Sequence, residues 1–157
     1  MIANPQRLWK CVPPGTVQAY KLELVDHFLL KPLAKQFGFT ITSAYRSIDT
    51  QANLLDSAGN KVPDYKKAKG ISQHCTGEAV DVDAGNSHKN KALFQYAIEH
   101  LAPWQIILYL EEGAATSVHL SIPSENETIV QKQLLNVDGA WRWFRGDFQD
   151  VVDLRRT

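Results

Sequence analysis

Apolar residues recur at helical spacing through Val17, Tyr20, Leu24, Val25, Phe28 and Leu29, which predicts a helix opened by Thr16 as its N-cap. Pro32 is expected to break or restart this helix. Leu33 and Phe37 extend its apolar face, and Gly38 stops it. Residues 39–42 read as a short strand that delivers residues 43–47 at its end. Residues 78–82 alternate, with Val80 and Val82 toward a core and Ala79 and Asp81 on the opposite side. A second helix is expected from Asn86 or Ser87, with Leu93, Phe94, Ala97, Ile98 and Leu101 as its buried stripe and Pro103 ending it. Residues 105–110 are apolar enough for a central strand, and residues 111–115 turn it back into a strand over 118–122. In that strand Val118, Leu120 and Ile122 share one face, and His119 and Ser121 the other.

The remaining stretches are less regular. Residues 1–15 form an irregular arm that Leu8 and Trp9 could pin to the body. Ser47 or Asp49 caps a short helix through residues 51–55, and residues 57–70 read as a long lysine-rich loop that could border a groove. Ser124 and Glu127 form a capping box expected to open a helix to about Asn136. Residues 139–146 are rich in aromatic and basic side chains, which either pack against the body or present a sugar-binding or partner-binding surface. Asp147 could cap a last helix to Leu154. The expected architecture is one domain over residues 1–157 with a helical and aromatic extension over 123–157. Its class is α+β, a small, mainly antiparallel sheet with helices packed on one side.

Composition narrows the function. The chain has 157 residues, 17 Lys and Arg against 17 Asp and Glu, and 44% hydrophobic residues. A formal net charge of zero argues against a nucleic-acid binder or a basic membrane-binding arm. No apolar run approaches a transmembrane span. The first residues lack the basic-then-apolar pattern of a signal peptide, so synthesis in a cytoplasm is expected, with any export by another route. Cys11 and Cys75 make no disulfide framework and are expected to be reduced.

The candidate chemistry lies in residues 72–81. His74 and Asp81 are seven residues apart with Gly77 between them, and the turn can fold His74 back beside the Asp81 strand. His119 can join them from its own strand. Two imidazoles and one carboxylate suit a single Zn²⁺, with the fourth position left for water. A Cys75 thiolate would close that position, and in extended chain it points away from His74.

The string Ser72-x-His74-x-x-Gly77-x-Ala79-x-Asp81, followed by a strand carrying Val118-His119-x-Ser121, resembles the zinc peptidases of the D-Ala-D-Ala carboxypeptidase and L-alanyl-D-glutamate peptidase family. Residues 41–47, with Tyr45-Arg46-Ser47, look like a second block of that family, and the resemblance spans about residues 20–122. It implies the fold shared with the Hedgehog signalling domain and zinc bound by His74, Asp81 and His119, one ion per chain. It also implies an Arg46 guanidinium that binds a substrate carboxylate, rather than a surface salt bridge. Tyr45, Ser72 and Gln105 are the other candidate substrate contacts; Ser72 reads equally as a turn serine and Tyr45 as a packed one.

A peptidase of this kind needs a general base. Many relatives carry an acid three positions before the last histidine, where this chain has Thr116. Glu111 and Glu112 are the nearest acids in sequence and are the expected catalytic residues. The expected function is hydrolysis of peptidoglycan stem peptides by a phage lytic or tail-associated enzyme, with stem peptides and phage tail proteins as partners. The competing expectation is a zinc-containing module that serves in binding or structure without turnover.

Overall fold

A computed structural model describes residues 16–44, 74, 77–101, 103–123 and 132–146. The first helix, α1 (Val17–Val25), passes through a π-helical turn (Asp26–Leu30) into α2 (Lys31–Ala34). Strands β1 (Thr40–Ser43) and β2 (Ala79–Asp83) precede helix α3 (Ser87–His100), and four strands follow: β3 (Gln105–Glu111), β4 (Ala114–Ser121), β5 (Lys132–Val137) and β6 (Ala140–Trp143). None of the described helices is long and apolar enough to cross a membrane.

Two of the expected caps are present, and the others, at Ser47 or Asp49, Ser124 and Asp147, lie outside the described residues. The Thr16 hydroxyl accepts from the Ala19 amide at 3.3 Å, and the Asn86 side-chain Oδ1 accepts from the Lys89 amide at 2.8 Å. The expected face of the first helix is buried only in part: Val25, Leu29 and Leu33 of the expected stripe are in the core. Val17, Tyr20 and Phe28 are exposed, while Leu22, Val25, Leu29, Leu30 and Leu33 form the inner face. The π turn takes up an extra residue, which shifts the stripe relative to a uniform 3.6-residue period. Of the two expectations for Pro32, the restart is the one observed: α-helix resumes at Lys31 after the π turn. Pro32 sits in the first turn of α2, where its missing amide hydrogen is not needed.

The six described strands form one sheet in the order β1-β2-β4-β3-β5-β6. The sheet is mixed rather than mainly antiparallel, because β5 runs parallel to β3. The last described strands also correct the expected tail. Residues 132–136 belong to a strand rather than to the end of a helix, and β5 and β6 extend the sheet. Leu135 and Val137 are buried with a period of two, and pairing with β3 secures their backbone. Asp138 and Gly139 both have positive φ, 50° and 88°, and join β5 to β6 in a two-residue turn. Glu112 and Gly113 join β3 to β4 in the same way.

One face of the sheet carries Val80, Val82, Ile106, Leu108, Val118, Leu120 and Leu135, which form a single cluster with the inner faces of the helices. Phe94 of α3 meets Phe144 edge to face at 5.0 Å, which anchors the end of β6 on the same core. The other face holds the candidate site. The expected short helix at 51–55, the 57–70 loop, the last helix to Leu154, and Cys11 and Cys75 lie outside the described residues.

Candidate metal centre

Asp81 of β2 faces His119 of β4 across the sheet, and Ala79 faces Ser121 one step along. Strand alternation turns Asp81 and His119 away from the hydrophobic core. His74 arrives from the turn before β2. Gly77, with φ of +76°, makes that turn and packs against the backbone carbonyl of Gln18 in α1, leaving no room for a Cβ. Glu78, buried as the chain enters β2, pairs with Lys21 of α1 at 3.0 Å, and its carbonyl accepts from the Ile122 amide at 3.0 Å. These contacts fasten the segment between His74 and Asp81 to the first helix.

One nitrogen or oxygen from each of His74, Asp81 and His119 lies within 4.8 Å of the others. Asp81 Oδ1 is 3.3 Å from His74 Nε2 and 2.9 Å from His119 Nδ1. The two imidazole rings meet edge to face at 5.0 Å, and both histidines are buried. Burial opposes ionisation of Asp81. The hydrogen bonds from His119 and His74, with their charges, outweigh that and hold the carboxyl well below the usual range.

His74 Nδ1 lies 2.8 Å from the backbone carbonyl of Ala44. A carbonyl only accepts, so Nδ1 carries a proton and Nε2 is the nitrogen turned toward Asp81. A lone pair facing a carboxylate at 3.3 Å needs a cation between them, a proton on the ring or a metal ion. The donor set fits Zn²⁺, which takes two imidazole nitrogens and a carboxylate oxygen and leaves a fourth position open. The Ala44 carbonyl is the orienting partner typical of a metal-binding histidine. A backbone acceptor leaves no signature in sequence, so only the fold reveals it.

Gln105 pairs with Ser121 and shares the face of His119, one step along the sheet. Tyr45, Arg46 and Ser72 lie outside the described residues. The structure does not bring Glu111 and Glu112 to the triad. Ile107 is opposite His119, and Glu111 is four residues further along β3, about 13 Å away. Both glutamates are exposed at the far turn, too distant to take a proton at the triad directly.

Position 116 is placed differently. The pairing of β3 with β4 shifts register between Tyr109 and Leu110, opposite residues 115–117. Ala115 and Val118 are both in the core, so Thr116 and Ser117 between them lie off it, on the side of His119. The bulge thus brings a residue three before the histidine onto the histidine's face. Thr116 uses its hydroxyl to donate to the Tyr109 carbonyl at 3.4 Å.

Fold and donors together define a class: an α+β domain with a His-Asp-His metal-binding group on one face of its sheet. The D-alanyl-D-alanine carboxypeptidase family model, VanY, matches residues 17–119, and the chain belongs to that family. The match runs from α1 to the last member of the triad. Neither the curated proteins nor the solved structures contain a match.

Proposed function

We propose that the protein is a zinc-dependent peptidase that cuts a peptide bond in peptidoglycan stem peptides. The observation that carries this reading is the orientation of His74, which the Ala44 carbonyl sets so that its second nitrogen joins Asp81 and His119. Family membership supplies the substrate class. His74 Nε2, Asp81 Oδ1 and His119 Nδ1 would hold the ion. Zinc bound there lowers the pKa of water and polarises the scissile carbonyl. Asp81, held ionised, contributes the one anionic ligand, so the bound site keeps a net positive charge. Gly77 and the Lys21–Glu78 pair keep the ligands in place. On the family pattern, Arg46 would hold a substrate carboxylate, and Ser72, Tyr45 and Gln105 are the further candidate substrate contacts.

The test is mass spectrometry of purified peptidoglycan fragments incubated with the protein, with and without a zinc chelator. Chelator-sensitive loss of D-Ala, or fragments cut after L-Ala, is the expected result. Intact fragments from zinc-loaded protein would overturn the reading. That outcome would favour a zinc-bearing binding or structural module, a reading supported by Thr116 where relatives carry an acid. A phage lytic or tail-associated setting is a further part of this proposal. Its test is loss of turbidity when the protein is added to intact bacteria.

A further inference from the structure

The cross-strand register places Trp143 in the same row as the triad. Asp81 faces His119, His119 faces Ile107, Ile107 faces Leu134, and Leu134 faces Trp143. The neighbouring row runs from Ser117 through Tyr109 and Asn136 to Trp141. Exposure rises along the first row: Ile107 is buried, Leu134 is half-buried and Trp143 is 62% exposed. Trp141 is 54% exposed, and its ring meets Tyr109 edge to face at 6.4 Å. The site face therefore runs from buried metal-binding groups to a pair of open indoles.

We propose that Trp141 and Trp143 form a platform for the glycan end of the substrate, with the stem peptide crossing β3 and β5 to reach the triad. This rests on the peptidoglycan reading above. The apolar faces of hexosamine rings, where C–H bonds project, stack on exposed indoles, which offer a broad, electron-rich surface. Trp143 is three strands from His119, about 14 Å across the sheet. An extended peptide covers about 3.3–3.6 Å per residue, so the gap takes about four residues. A five-residue stem attached to a sugar at the platform thus presents its last bond, the D-Ala–D-Ala bond, to the triad. The bond after the first residue would lie far short of it.

The experiment compares the free pentapeptide with the same pentapeptide on a GlcNAc–MurNAc disaccharide. It uses the zinc-loaded wild type, Trp143→Ala and Trp141→Ala, and reads kcat and KM for release of D-Ala. The wild type is expected to prefer the disaccharide substrate. Trp143→Ala should lose about tenfold in kcat/KM on it, through KM, with the free peptide unchanged. A parallel fluorescence titration uses glycan strands stripped of peptide. Quenching in the wild type that is weakened in Trp143→Ala supports the platform, even if no peptide is hydrolysed and the peptidase reading falls. Hydrolysis with no disaccharide preference and no glycan-dependent quenching overturns the platform and leaves the peptidase standing.

Discussion

The Ala44 carbonyl and Nδ1 of His74 are 2.8 Å apart, and this backbone contact decides which nitrogen of His74 faces Asp81. The potential ligand atoms of His74, Asp81 and His119 are thereby gathered within 4.8 Å of one another. One zinc per chain is expected in the purified protein. His74→Ala, Asp81→Asn and His119→Ala should each weaken zinc binding by more than about 100-fold, since an outer partner alone is worth about 10- to 100-fold. Competition with a chromophoric chelator measures this directly, and a variant with unchanged affinity would remove that residue from the centre.

Thr116 lies three residues before His119 and on the same face of the sheet, the position at which many members of the resembled family carry an acid. Thr116→Glu is expected to raise kcat by about 100-fold if the wild type lacks its own base, with zinc affinity unchanged. An unchanged or lower kcat in folded, zinc-loaded variant would show that the base comes from elsewhere. Glu111→Gln and Glu112→Gln are expected to leave both turnover and zinc binding unchanged, because the far turn holds them about 13 Å along the strand.

Gly77 combines a left-handed backbone with direct contact on α1. In Gly77→Ala the Cβ would meet the Gln18 carbonyl and strain the backbone together, so either α1 or the His74 turn must move. A loss of about 2 kcal/mol or more is expected in urea unfolding, with weaker zinc binding even where the variant folds. Gly85→Ala is the control for backbone strain: φ there is +108°, but a Cβ meets nothing within 4 Å.

The metal-free protein should also carry a signature of Asp81. Its carboxyl ionises more readily in the folded chain than in the unfolded one, so it contributes stability above the ordinary carboxylate pKa of about 3.9. That contribution is lost as pH falls through the depressed folded value. The difference in urea midpoint between the chelated wild type and Asp81→Asn should therefore be present at pH 5 and shrink as the pH drops below 4. A difference that grows on acidification would contradict the charge arrangement described for the triad.

Much was readable from local pattern. The alternation at Val80–Val82 and Val118–Leu120 assigned Asp81 and His119 to the polar face, since neighbouring strand residues point oppositely. Thr16 and Asn86 announced their helices through side-chain oxygens suited to capping. The helix expected to end at Asn136 was misjudged: Asp138-Gly139, with Leu135 and Val137 alternating before it, is a hairpin signal that the capping box at Ser124 outweighed.

By itself, the sequence determined the donor types, their order and the strands that present two of them. These depend on side-chain chemistry and short-range periodicity, which neighbours in the chain settle. Tertiary structure decided the rest. The Ala44 carbonyl beside His74, the fit of Gly77 on α1 and the bulge that turns Thr116 toward the site all arise between segments far apart in the chain. So does the row from Asp81 to Trp143, because register across a sheet is set by which strands pair, and no local pattern names the partner.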